Sequence, residues 1–301
     1  MVFRIISFLL LFAVSSALSY CQPADSILNK PLNKKALSLI FTSEAIIYTG
    51  TMISLNEAWY KNYPKSSFHF FDDSKEWLQV DKVAHSFTSY HTANFGYLLF
   101  KQAGMEENKA IAISGIQSVF FISSIEIFDG FSKEWGASWY DLSANIAGTG
   151  LFTLQQYFWK EQKINLKYSY SNSGLAGYRP SALGNNFPEK LIKDYNAQTF
   201  WLSANLKSIL NLNKFPTWLN IAIGYGADGM LAGHSNDEIQ NLNLLVERKR
   251  QYYLSLDIDL TRIKVKNKAL STAFKIINVL KFPFPTIEFS SNKLYFHPVF
   301  Y

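Results

Sequence analysis

In the first half of the chain, apolar residues recur at helical spacing over four stretches, 36–55, 82–103, 109–128 and 140–158. The first ends near Asn56, the second at Gly104 and the third at Asp129-Gly130. Ser138 stands where an N-cap for the fourth is expected, with Asp141 three residues on as the acidic arm of a capping box. Each stretch has about 20 residues, long enough to cross a bilayer as a helix. Each also carries a polar residue: Glu44, His85, Glu126 and Asn145. The pattern predicts a four-helix bundle with a polar interior over 36–159, either embedded in lipid or packed on itself.

Past Lys160 the period changes to two. Over 251–263, Tyr252, Leu254, Leu256, Ile258 and Leu260 alternate with Tyr253, Ser255, Asp257, Asp259 and Thr261, which predicts a strand. The same alternation runs through 164–171, 200–207 and 219–226, and short strands are expected at 286–289 and 294–300. The fold class is therefore α+β, a helical bundle followed by an antiparallel β region over 164–301. Six strands suit a half-buried sheet packed against helices. An outer-membrane barrel needs at least eight. The aromatic terminus from Tyr295 to Tyr301 resembles the last strand of outer-membrane proteins, from which His297 and Pro298 depart. Residues 262–281 contain six basic residues, Arg262, Lys264, Lys266, Lys268, Lys275 and Lys281, and no acidic ones. Leu270, Ala273, Phe274, Ile277 and Leu280 share one helical face there. The segment near 267–281 reads as a basic amphipathic helix, lying on a membrane interface or packed on the sheet.

Composition sharpens this picture. Of 301 residues, 48% are hydrophobic, 16% aromatic and only 17% charged, too apolar for a disordered chain and poor in charge for a soluble one. The net charge of +6, with no nucleic-acid motif, points to acidic lipid as the partner rather than nucleic acid. One cysteine, Cys21, excludes a disulfide framework and a cysteine-ligated zinc site. Arg4, the apolar run from Ile5 to Val14 and the small residues Ser15, Ser16, Ala17 and Ser19 read as a signal peptide over 1–21, a retained anchor being the other reading. Leu18-Ser19-Tyr20-Cys21 resembles a lipobox with Tyr20 in place of a small residue, which makes Cys21 a candidate for lipidation. The expected location is the cell envelope, at the outer membrane or in the periplasm.

Candidate chemistry lies in the helical half. Asp81 and His85 are spaced i, i+4, Glu126 and Asp129 i, i+3, and Asp141 and Asn145 i, i+4. Glu126 sits among Phe120, Phe121, Ile122, Ile125, Ile127 and Phe128, where an ionised carboxylate needs a proton, a cation or a donor. His85, Lys82, Lys133 or a bound metal can supply it. These residues, with Lys133-Glu134, Ser138 and Gly148, resemble the uncharacterised domain of YfiM-type predicted periplasmic lipoproteins over 77–150, and more distantly the VanZ-like membrane family. The resemblance implies an envelope protein with a helical bundle and no assigned activity.

Three readings follow for the cluster: a structural network, a divalent-metal site (magnesium, manganese or zinc) able to activate water for hydrolysis of an envelope ester, phosphoester or cell-wall polymer, or a binding site for a lipid headgroup or glycan. A structural or ligand-binding role leads, with a metal-dependent hydrolase as the alternative. His91 reads as a surface or interfacial residue, His69 and His234 as solvated loop residues near Asp72-Asp73 and Asp237-Glu238, and Asp257 and Asp259 as the solvent side of a strand. No Walker A loop, G-x-S-x-G elbow or dinucleotide fingerprint is present.

Overall fold

A computed structural model describes residues 31–56, 60, 64–238 and 246–300. The expected signal peptide and Cys21 lie outside the described residues. The fold is α+β. Four long helices, α1 (Lys34–Leu55), α2 (Val80–Gln102), α3 (Glu107–Asp129) and α4 (Trp139–Trp159), precede a six-stranded antiparallel sheet. The chain divides into two compact units, one holding 85–162 and the residues before Ser74, the other 74–84 and 163–301.

In the helical unit, Asn33 caps α1 by accepting from the Ala36 amide at 3.0 Å. Leu37 and Ile40 pack on Phe100, Met105 and Ala110. Tyr48 stacks on Phe121 and donates to Ser124 Oγ at 2.7 Å. The later helices approach closely through small residues. A Cβ on Gly148 would lie 1.9 Å from the Ser86 carbonyl oxygen. Ser86 Oγ donates to the Ala144 carbonyl at 2.9 Å, and Ser118 Oγ donates to the Ser89 carbonyl at 2.7 Å. The buried positions include Glu44, Ser114, Ser118, Asn145, Thr149 and Gln155, whereas Leu39, Ile46, Ile116, Phe120, Ile146, Leu154 and Phe158 are all more than half exposed. Hydrogen-bonding side chains thus share the interior with Phe87, Phe100, Ile125 and Phe152, while many large aliphatic side chains face outward, unlike the usual soluble surface. His91, expected at the surface, is buried against Phe87, Tyr90 and Phe95. It lies six residues after His85 and so faces elsewhere around α2, into a second packed surface.

In the sheet unit, β1 (Ile164–Tyr170), β2 (Gln198–Ala204), β3 (Leu219–Asp228), β4 (Lys249–Ile258), β5 (Phe284–Ser290) and β6 (Lys293–Phe300) pair in sequence order. Short helices α5 (Pro180–Leu183), α6 (Phe187–Lys193) and α7 (Leu206–Leu210) fill the connections, and α8 (Lys268–Ile277) precedes β5. The sheet curls, and the segment just ahead of β5 bridges the edge of β1. The Tyr168 amide of β1 donates to the Val279 carbonyl at 3.0 Å, and the Lys281 amide donates back to Tyr168 at 2.9 Å. Phe300 of β6 meets Trp201 of β2 and Tyr253 of β4 across the inside.

The enclosed face is the polar one. Lys167 Nζ and Asp257 Oδ2 are 2.7 Å apart with both side chains 0% exposed. Asp257 also accepts from Ser203 Oγ at 2.6 Å and from the Phe282 amide at 2.9 Å. Asp257 and Asp259 therefore correct the expectation of solvated carboxylates. The strand expected to reach 263 stops at Ile258, because Asp259 turns the chain by accepting from the Thr261 amide at 3.1 Å and holds Arg262 at 3.1 Å.

The basic helix is shorter than expected. Arg262, Lys264 and Lys266 precede it, and Lys275 lies on it with its side chain exposed. The Lys268 side chain lies outside the described residues. Lys281, expected at a membrane interface, is buried instead, donating to the Phe282 carbonyl at 2.6 Å and lying 5.0 Å from the centre of the Trp201 ring.

Just before α2, Trp77, Leu78 and Gln79 take φ of 47°, 48° and 64°, a left-handed turn that costs about 1–2 kcal/mol per residue. Partners within the sheet unit hold it. The Trp77 amide donates to the Gly233 carbonyl, Tyr225 OH to the Leu78 carbonyl and Arg250 to Gln79 Oε1.

Two predictions follow from this packing. Gly148→Ala should lower stability by about 1–3 kcal/mol through overpacking. Gly150→Ala, two residues on with nothing within 4 Å of its Cβ, should leave stability unchanged or raise it, as read by thermal unfolding of the purified protein.

The second concerns Lys281, whose pKa is lowered to about 8 by burial, with Lys167 pushing the same way and Asp257 opposing. The unfolded chain holds this proton up to about pH 10.4. Between those values the unfolded state binds more protons, so this group makes stability rise with pH, by up to roughly 3 kcal/mol. Lys281→Met should be the more stable form at neutral pH, and its advantage should shrink as pH rises toward 10 (compared by denaturant unfolding across that range).

Candidate functional site

Three helix ends converge in the helical unit. His85 lies in the second turn of α2, Glu126 in the last turn of α3, and Asp141 in the first turn of α4 with Asn145 one turn on. Ser138 caps α4 as its sequence position predicts, its Oγ accepting from the Tyr140 amide at 3.1 Å and the Asp141 amide at 3.0 Å. The reciprocal arm of the cap comes from elsewhere. The Ser138 amide donates to Glu126 Oε2 at 3.1 Å, so the carboxylate of α3 takes the place that the capping box gave to Asp141. Asp141 is left to face the cluster.

His85 Nδ1 lies 3.1 Å from Asn145 Oδ1, and Asn145 Nδ2 donates to Ser123 Oγ at 3.4 Å. An amide oxygen only accepts, so this contact assigns the proton to Nδ1 and makes Nε2 the basic nitrogen of the ring, on the side of the two carboxylates. Nε2 lies 3.8 Å from Asp141 Oδ2 and 4.0 Å from Glu126 Oε1. Both separations exceed hydrogen-bond length. Both fit donors that share a small cation, since metal–nitrogen and metal–oxygen bonds near 2.0–2.2 Å set ligand atoms roughly 3–4 Å apart. Glu126 Oε1 is buried and accepts no hydrogen bond among the described residues. One imidazole nitrogen and two carboxylate oxygens thus converge in a largely dry site, with the backs of the histidine and of Glu126 held by other groups.

Asp129 is brought close in sequence but used differently, its Oδ1 accepting from Tyr60 OH at 2.7 Å. Asp81, one turn before His85 on α2, pairs with Lys82 at 2.8 Å and groups with the sheet unit. Lys133 is exposed. Of the expected partners for Glu126, the one that faces it is therefore His85.

Asp73 was not legible as a site residue. Its place beside Asp72 and near His69 suggested a solvated loop, yet it is buried and accepts from Ser138 Oγ at 2.5 Å. The only sequence signal was its position ahead of the second helix. His69 is half-buried with Nδ1 3.2 Å from Ser66 Oγ, and His234 is exposed with Nε2 3.3 Å from Glu76 Oε1.

Residues 69–157 match the family described as "Predicted periplasmic lipoprotein (DUF2279)". The matched segment contains His85, Glu126, Asp141 and Asn145, together with Asp73 and Ser138, and ends before the sheet. No curated protein and no solved structure matches the chain. The family match supports an exported, envelope-associated protein.

Proposed function

We propose that this is a membrane-embedded envelope protein that binds a divalent cation through His85 Nε2, Glu126 Oε1 and Asp141 Oδ2. The observation that carries the reading is the pair of 3.8 and 4.0 Å separations around Nε2, too long for hydrogen bonds, with Asn145 fixing the opposite side of the ring. A metal-bound histidine is oriented in this way by an acceptor on its other nitrogen. One nitrogen and two carboxylate oxygens suit zinc or manganese, and magnesium less well. The role is binding first. Three protein donors leave coordination positions open, and that favours, as a second reading, a polarised water attacking an envelope ester or phosphoester.

The membrane part of the proposal rests on polarity. α1 and α3 contain segments long and apolar enough to cross a bilayer, and the helical unit turns aliphatic and aromatic side chains outward while burying Glu44, Ser118, Asn145 and Gln155. The site lies at one end of the bundle, at the start of α2 and α4 and the end of α3, where an ion is reached from water.

Metal analysis of the purified full chain tests the site. Roughly one equivalent of zinc or manganese should copurify or rebind, and be lost in Glu126→Gln and His85→Ala. A chelator should lower the melting temperature of the wild-type chain, by the equivalent of about 2.7 kcal/mol if the ion had been present at a hundredfold its dissociation constant. A chain that holds no ion, melts unchanged in chelator and is still destabilised by Glu126→Gln would leave the structural network as the answer. Alkaline carbonate washing of envelopes tests the membrane reading. The protein should stay in the pellet, and release into the wash would refute embedding.

A further inference from the structure

The sheet unit carries a second outward apolar surface, formed by residues independent of the helical one. Pairing registers place Leu202, Ile223, Leu254, Ile287 and Phe296 directly opposite one another across five successive strands. All five side chains are substantially exposed, from 46% at Leu202 to 67% at Phe296. Toward one end the next row exposes Tyr252, Phe289 and Leu294 beside the half-buried Tyr225, with Phe200 of β2 buried, and toward the other it exposes Leu256 beside the half-buried Ile221, then reaches the half-buried Leu219 and Ile258. From Tyr252 to Ile258 this band runs about 20 Å along the strands at about 3.4 Å per residue. A contiguous apolar sheet face of this extent is foreign to water. The alternating residues on the other face are the enclosed Lys167, Asp257, Ser203 and Asn220. Polar inside and apolar outside is the polarity of a sheet facing lipid.

Charge gives the occupant. Past Ile258 the chain enters the basic segment, where Lys264, Lys266 and Lys275 are exposed beside exposed Leu270 and Ile277 of α8. Trp218, which precedes β3 at the same end, is 39% exposed. An apolar band bordered by an exposed indole and by ammonium groups fits acyl chains bordered by anionic phosphates. The band is shorter than the roughly 30 Å of a bilayer's hydrocarbon, and among the described residues no strand pairs with the far edge of β6. An open edge is not tolerated at full depth in lipid, so the fit is to partial penetration and not to a closed transmembrane barrel.

We propose that the outward face of β2–β6 dips into the acyl region of an anionic membrane, with the α8 end at the phosphates. The experiment uses the full chain in a Cys21→Ser background, reconstituted in phosphatidylethanolamine and phosphatidylglycerol vesicles. An environment-sensitive fluorophore is attached in turn at Leu254→Cys, Ile287→Cys, the exposed connection residue Lys214→Cys, and Ile116→Cys on α3. Only variants that melt like the parent are read, and all four sites are exposed, so folding should be retained. Nitroxide on the lipid acyl chains should quench the probes at 254 and 287 several-fold more strongly than aqueous iodide does, and the order should reverse at 214. Iodide reaching 254 and 287 while the acyl nitroxide does not would overturn the proposal, as would protection from both quenchers, which means protein covers the face. The probe at 116 separates this result from the helical reading. Acyl quenching at 116 without quenching at 254 defeats the sheet proposal alone, and the opposite pattern defeats only the embedding of the helices.

Discussion

A buried charge must meet its partners inside the protein or cost several kcal/mol, and the Lys167–Asp257 pair is the plainest case here. Asp257 accepts from Ser203 and from the Phe282 amide as well as from the ammonium. Ser203 in turn accepts from Asn220, and Asn220 from Asn205. Such a network tolerates no missing member, because each deletion strands a polar atom where water does not replace it. It therefore fixes the curl of the sheet. Once β1, β2, β3 and β4 have turned these side chains toward one another, their alternate residues point outward, and those residues are apolar.

The helical unit obeys the same constraint with different geometry. Ser86, Ser118 and Thr149 let backbones approach and exchange hydrogen bonds, and Gly148 leaves the space into which the Ser86 carbonyl fits. Small and polar contacts of this kind hold these helices together beside the apolar cluster of Phe100, Met105 and Ala110. In both units polar groups are satisfied inside beside buried apolar clusters, and many aliphatic and aromatic side chains lie on the surface. The cluster at the bundle end departs from this rule at one point. Among the described residues Glu126 Oε1 has no hydrogen-bond donor, and His85 Nε2 lies 4.0 Å away. A cation between these atoms would complete the set, which links the proposed site to the same need for satisfied polar groups.

Much of this was legible in the residues. Helical spacing placed four helices within a few residues of their observed limits, and Ser138 marked the start of α4 because a hydroxyl at that position caps free amides whatever surrounds it. The pairs Glu126/Asp129 and Asp141/Asn145 were visible as polar breaks in apolar runs. Which member of each pair faced His85 was not. Spacing puts Glu126 and Asp129 on one side of α3, yet Tyr60, distant in sequence, holds Asp129. Asp73 was missed because a loop carboxylate looks solvated until the helix that buries it is in place.

The amino-acid order alone determined the α+β class, the positions of the strands and the division of each strand into a polar and an apolar face, since these depend on periods of 3.6 and 2.0 that any local segment displays. It did not determine which face is enclosed. The alternation of Tyr252, Leu254 and Leu256 with Tyr253, Ser255 and Asp257 reads the same for either choice. The tertiary structure chose the polar face, moved Asp257, Asp259 and Lys281 from expected solvent or interface to the interior, and cut the β4 strand short at Asp259. Burial is decided by partners far along the chain, such as Lys167 for Asp257 and Trp201 for Lys281, and a local period carries no information about them.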